Sequence, residues 1–192
     1  MRIKFLFIFL LLSIYGYSQA LIPDAVKVKT AFNNFSADTN SKKLQQIYVA
    51  AFPSDTKTFL KVFQAEKFDQ LYMNSYKYLE AFEKCATTFP TQVIGKCVDI
   101  GKNLVWDADA VGQLQQISVQ LATKYVKIFV KKYKTLDSKA QDKLLTFYAD
   151  VENYNAYPEF QELILRLKSI GETDIAKKLD RARTLRKAGS NH

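Results

Sequence analysis

Apolar residues recur along this chain at three- and four-residue steps from about residue 41 to residue 188, with no sustained two-residue alternation. That period puts apolar side chains on one side of a helix, and strands would need the missing alternation. The pattern predicts an all-α fold, a single-domain bundle of about eight helices. Ser41 reads as an N-cap for a helix over 42–52, with Leu44, Ile47, Tyr48 and Ala51 on one face and Pro53 ending it. Ser54 or Asp55 caps a short helix carrying Phe59, Leu60 and Phe63. A longer helix follows over 68–86, with Leu71, Tyr72, Ser75, Tyr78, Leu79 and Phe82 in line. Pro90 restarts the chain, and Val93, Ile94, Cys97, Val98 and Ile100 form a buried stripe to about Asn103.

The longest helix is expected from Asp107 to about Tyr133, with Leu114, Ile117, Leu121, Tyr125, Ile128 and Phe129 inward. Asp107 stands where an N-cap belongs, Asp109 falls in the first turn, and Trp106 and Val111 have the spacing of a hydrophobic staple. Ser138 caps a helix to about Glu152 with Leu144, Leu145, Phe147, Tyr148 and Val151 inside. Residues 153–158 break the pattern, a helix resumes over 159–170, and Gly171 stops it from a C′ position. Thr173 or Asp174 opens the last helix, with Ile175, Leu179, Ala182 and Leu185 in line. The connections are short, so sequential helices should pack antiparallel.

The ends read differently. Residues 1–20 combine the charged MRIK start, the apolar run from Phe5 to Leu12 and a small-residue close at Ser18 and Ala20. This is the form of a secretory signal peptide, too short to span a bilayer, cut near Ser18 or Ala20. The expected product is exported, periplasmic or secreted, without a transmembrane segment and without a lipid-accepting cysteine at the cut. Residues 21–40 read as a weakly patterned lead-in broken by Pro23, residues 41–188 as the helical domain, and 189–192 as a frayed tail. About 170 residues remain after cleavage, enough to bury a core without metals.

Export changes the meaning of the only two cysteines, Cys85 and Cys97. In an oxidising compartment an even pair predicts one disulfide, here pinning a helical hairpin across Phe89 and Pro90. The chain carries +9, and near +7 once Arg2 and Lys4 leave. Lys177, Lys178, Arg181, Arg183, Arg186 and Lys187 face only Asp180 in the last segment, while Lys124, Lys127, Lys131, Lys132 and Lys134 form a second run. Such faces suit an acidic protein or an anionic envelope surface, or are solvated helix ends. Nucleic acid fits poorly, since no recognised fold signature accompanies the charge.

Candidate chemistry is sparse. The one histidine is His192, the last residue, so no histidine-based triad is expected. Two cysteines and that histidine cannot build an ordinary zinc site, and no phosphate-cradling glycine loop occurs. No cofactor, metal or catalytic residue is expected. A carboxylate enzyme would have to use Asp107 and Asp109 with Asp99. The better candidates lie on the surface: Tyr148, Tyr154 and Tyr157 around the polar break, with Arg181, Arg183 and Arg186 nearby in sequence. Tyrosine joins a large contact area to a polar tip, which suits recognition of another protein.

Trp106-Asp107-Ala108-Asp109-Ala110-Val111, followed by Gln113-Leu114-Gln115, resembles a family of exported helical proteins of Bacteroidota. Ala51-Phe52-Pro53, the stretch from Ala149 to Asn153 and the leader ending Tyr17-Ser18-Gln19 belong to the same resemblance, which spans about residues 44–186. It implies export without implying an activity. By analogy, small exported helical proteins of this kind are similar to immunity proteins that block a toxin in the periplasm. The expectation is therefore a non-enzymatic protein-binding domain. The alternatives are an envelope- or lipid-associated protein using the basic C-terminal helix, and a carboxylate-only enzyme.

Overall fold

Capping residues and prolines set where these helices begin. The computed structural model describes residues 22–63, 71–107, 109–150 and 158–189, with side chains up to Leu185. Residues 1–20, expected to be a leader, lie outside them. The described residues form ten α-helices and two short 3-10 turns, with no strand among them. The helices are α1 (Pro23–Ala37), α2 (Lys42–Ala51), α3 (Thr56–Phe63), α4 (Ser75–Lys84), α5 (Pro90–Gly101), α6 (Ala110–Lys124), α7 (Val126–Tyr133), α8 (Ser138–Ala149), α9 (Pro158–Ser169) and α10 (Thr173–Gly189). The all-α expectation holds, with more and shorter helices than the periodicity gave.

Local signals placed several boundaries. Ser41 accepts the Leu44 amide at 3.4 Å, and the Asp55 carboxylate accepts the Thr58 amide at 2.9 Å. Each satisfies a first-turn N–H that has no partner within its helix. Pro90 sits in the first turn of α5, where its missing N–H is harmless. Gly171, at φ 84, closes α9: its amide reaches Lys168 and the Glu172 amide reaches Leu167 at 2.9 Å, the paired bonds of a Schellman end.

Several boundaries differ from expectation, among them the helix expected over 68–86, which is a 3-10 turn at Tyr72–Asn74 followed by α4. The lead-in is not irregular: Pro23 opens α1, and Ala25, Val28, Ala31 and Phe35 are buried along it. The cap of α8 is Asp137, one residue before Ser138, accepting the Ala140 amide at 2.8 Å. The long helix to Tyr133 is two, broken where Tyr125 leaves helical geometry at φ −120 and ψ 45. The elbow turns α7 back onto α5, where Lys132 meets Asp99 at 2.7 Å.

The buried side chains form one hydrophobic cluster. α5 and α6 run through its centre: α5 packs on α3, α6, α7 and α8, and α6 on α4, α8 and α9. On the N-terminal side Phe52 stacks on Phe82 at 3.8 Å between ring centroids, and Phe35 on Tyr48 at 5.6 Å. The Tyr48 hydroxyl donates to the Tyr78 carbonyl at 2.7 Å, so the ring enters the core with its polar tip satisfied. On the other side Phe129 stacks on Tyr148 at 5.8 Å. Each fully buried ring contributes roughly 2–3 kcal/mol of transfer free energy.

The expected disulfide is not formed; both cysteines are free and buried. Cys85 ends α4 beside Tyr48, whereas Cys97 lies within α5 toward Ser118 and Tyr148. The two thiols thus have different aromatic neighbours in the core. Burial pushes Cys85 up to about 11 and Cys97 up to about 12.

Candidate functional site

After α5 ends in a turn at Lys102 and Asn103, residues 104–107 have no regular secondary structure before α6 begins. Leu104 turns inward, Val105 is 78% exposed and Trp106 is half-buried. This strip lies along α8 and leaves a groove of about 810 Å³ between them. The helical side of the groove is built from successive turns of α8: Lys139, then Asp142 and Lys143, then Thr146 and Phe147, then Asp150 just beyond its end. Leu104, Trp106 and Phe147 give the groove apolar walls, and Lys143 reaches across to the Asn103 side-chain oxygen at 3.5 Å. A second hollow of about 390 Å³ lies on the other side of α8, between it and α10. Asp142 and Thr146 line both, while Lys178, Arg181 and Leu185 close the second.

The groove is held open by α6. Gln115 is buried, and its amide donates to the carbonyls of Phe147 and, at 2.9 Å, Asp150. These bonds fix the last turn of α8. On its other flank the start of α6 holds the α4 region: Tyr72 donates to the Asp109 carboxylate, and Gln113 donates to the Tyr76 carbonyl at 3.3 Å. Gly112 allows the strip to approach, since a Cβ there would meet the Asp107 carbonyl at 3.3 Å. The stretch from Trp106 to Gln115 is thus a junction of three parts of the bundle.

The helix start falls two residues later than Asp107. The N-cap position is Asp109, at φ 58 and ψ −119, and its side chain makes no capping bond. The carboxylate is instead engaged by the Tyr72 hydroxyl, a bond that raises the tyrosine's pKa and so holds its proton. Asp107 is exposed on the strip. Asp99, the third carboxylate, is held by Lys102 at 3.0 Å and Lys132 at 2.7 Å. Among the described residues no group of three or more His, Cys, Asp and Glu could hold a metal ion.

The recognition candidates separate by burial. Tyr148 is 1% exposed, stacked in the core with its pKa raised by burial, and cannot meet a partner. Tyrosine alternates between core and surface roles, and its place on α8 faces inward. Tyr154 and Tyr157 lie outside the described residues, as does the Arg186 side chain. Arg183 packs over the Phe160 ring at 5.8 Å and pairs with Asp180 at 3.3 Å, so it serves the α9–α10 contact. Arg181 is exposed at the second hollow. In the other lysine run, Lys132 and Lys134 are paired with Asp99 and Glu172, each at 2.7 Å. The apolar stripe of α10, Ile175, Ala176 and Leu179, is buried, and α10 packs against α8 and α9. Of its described large apolar residues, only Leu185 is exposed for a bilayer to meet. No helix among the described residues is long and apolar enough to cross a membrane.

Trp106 was visible in the sequence as the sole tryptophan, but its groove was not. Lys139 and Lys143 carried no signal beyond helix-surface spacing. Comparison with protein-family models, with curated proteins and with solved structures finds no match to this chain.

Proposed function

We propose that this is an exported, non-enzymatic domain that binds another protein through the groove between residues 103–106 and α8. The observation that carries the reading is the groove itself: an apolar trough beside a helix, with Trp106 half-buried and Val105 exposed at its edge. Concave, mostly apolar sites with a few polar groups are the usual form of binding sites, and tryptophan is favoured at the centre of interfaces. The leader supports export, as does the resemblance to exported helical proteins of Bacteroidota. The only histidine stands at the last position, which supports binding over catalysis. An immunity protein that occludes a toxin in the periplasm is the specific form this reading takes.

The test is site-specific photocrosslinking in cells. A benzophenone side chain at Val105 should give one discrete adduct that the same group at Leu165, exposed on α9, does not give. No adduct at Val105, or the same adduct at both positions, overturns the reading. Export is checked by N-terminal sequencing of the protein from an osmotic-shock fraction. A start near residue 19 or 21 is expected, and Met1 in the cytosol would contradict it.

A further inference from the structure

We propose that the hollow between the Tyr72–Tyr76 stretch and the start of α6 takes a guanidinium group, the head of an arginine side chain carried on another polypeptide. The hollow measures about 390 Å³ and is lined by Tyr72, Met73, Ser75, Tyr76, Asp109 and Gln113. It shares no lining residue with the groove beside α8, so it stands or falls apart from that reading.

What the hollow selects follows from where its hydrogens go. The Tyr72 hydroxyl gives its hydrogen to the Asp109 carboxylate, and the Gln113 amide donates to the Tyr76 carbonyl at 3.3 Å. The bond to Asp109, and beyond it the charges of Asp109 and Asp107, keep that hydrogen on Tyr72. The second Asp109 oxygen, the Tyr72 oxygen and the Gln113 side-chain oxygen remain as acceptors. The lining is thus rich in acceptors, and Asp109 is its one charged residue. Among the described residues no lysine or arginine pairs with Asp109. Lys77 holds its ammonium 5.6 Å from the Tyr76 ring centroid, outside the lining, so that ring already takes a cation at its face. A guanidinium complements such a lining: it has five donors and no acceptor, and its plane can meet a carboxylate while stacking on a tyrosine. Met73 is 65% exposed and Tyr76 48% exposed, placed to cover the apolar stem of an incoming side chain. This open rim suits a side chain arriving on a polypeptide, since sites for small molecules enclose most of the ligand.

The test follows the amide NMR spectrum of the purified protein as N-acetyl-arginine methylamide is added. The lysine and citrulline counterparts are controls, citrulline having nearly the shape of arginine without its charge. The arginine probe should give saturable shifts centred on Tyr76 and Gln113, and bind about tenfold more tightly than the citrulline probe. Asp109→Asn removes the charge with a residue that accepts positive φ, and Tyr76→Leu removes a half-exposed ring. Each should weaken the arginine probe several-fold. The citrulline comparison uses the parent protein alone, so it holds even where a variant folds poorly. No saturable shift at Tyr76 or Gln113 overturns the inference. So does a citrulline or lysine probe that binds as tightly as arginine, or a folded Asp109→Asn variant with unchanged affinity. Free arginine binding more tightly than the capped probe overturns the assignment to a polypeptide.

Discussion

The side-chain amide of Gln115 donates to the Asp150 carbonyl at 2.9 Å, tying the middle of α6 to the end of α8 across 35 residues of sequence. Replacing Gln115 with Leu keeps much of the volume and removes the donor from both the Phe147 and Asp150 carbonyls. A loss of about 1–3 kcal/mol is expected in urea unfolding. Gln116→Leu, one position on and exposed, should stay within about 0.5 kcal/mol of the parent.

Asp109 holds a backbone conformation, φ 58 with ψ −119, that glycine adopts freely and side-chain-bearing residues do not. Asp109→Gly and Asp109→Ala both remove the carboxylate that Tyr72 reaches, so the difference between them isolates the backbone. The glycine variant should be the more stable by about 1–2 kcal/mol, as read from paired thermal or urea unfolding. Equal stability would show that position 109 carries no strain.

The two thiols should behave as separate, inert groups. Burial holds Cys85 near 11 and Cys97 near 12, so neither supplies thiolate at pH 8. Native protein should resist alkylation at that pH and take up two labels once unfolded in urea. Mass spectrometry of the non-reduced protein should show both hydrogens still present. A mass two units lower would restore the disulfide.

Lys96 gives stability a pH dependence of its own. Its amine donates to the Ala50 carbonyl at 3.3 Å and to the Phe52 carbonyl, at the C-terminal end of α2. Burial, with Lys27 adding repulsion, lowers it from 10.5 to about 8. Between those values the unfolded chain keeps a proton that the folded chain has released, so rising pH strengthens folding at this group. The buried acids act the other way. Cys85 and Cys97 titrate at 9.0 when unfolded, and Tyr133, raised to about 12, at 10.0; each loses its proton on unfolding before it would in the fold. Total stability should therefore decline above about pH 9, while the gap between the parent and Lys96→Met widens in the parent's favour from pH 8 to 10.5. Urea unfolding across that range checks both slopes, and a constant gap would contradict the Lys96 assignment.

Much of the helical plan could be read from single residues because its signals are local. Ser41, Asp55, Pro90 and Gly171 each act on backbone groups within a few positions, and each marks its boundary in the structure. α1 escaped notice because two of its four buried residues are alanines and Pro23 resembled a break, although proline suits a first turn. The turn at Tyr125 has no proline or glycine to announce it; the contacts α7 makes with α5 fix it. Tyr148 and Arg183 have the chemistry of recognition residues, and only tertiary packing shows that one fills the core and the other braces Phe160. The groove was hidden for the same reason. It exists only when residues 103–106 lie beside a helix some 40 positions away.

The bend at Tyr125 also governs how one molecule could trade parts with another. Were α6 and α7 to continue as one rod, the 24 residues from Ala110 to Tyr133 would extend about 36 Å. α7 and everything after it would then leave its own α5, and Asp99 would be open to Lys132 of a neighbouring copy. An exchanged dimer would begin at this point, where Tyr125 departs from helical geometry.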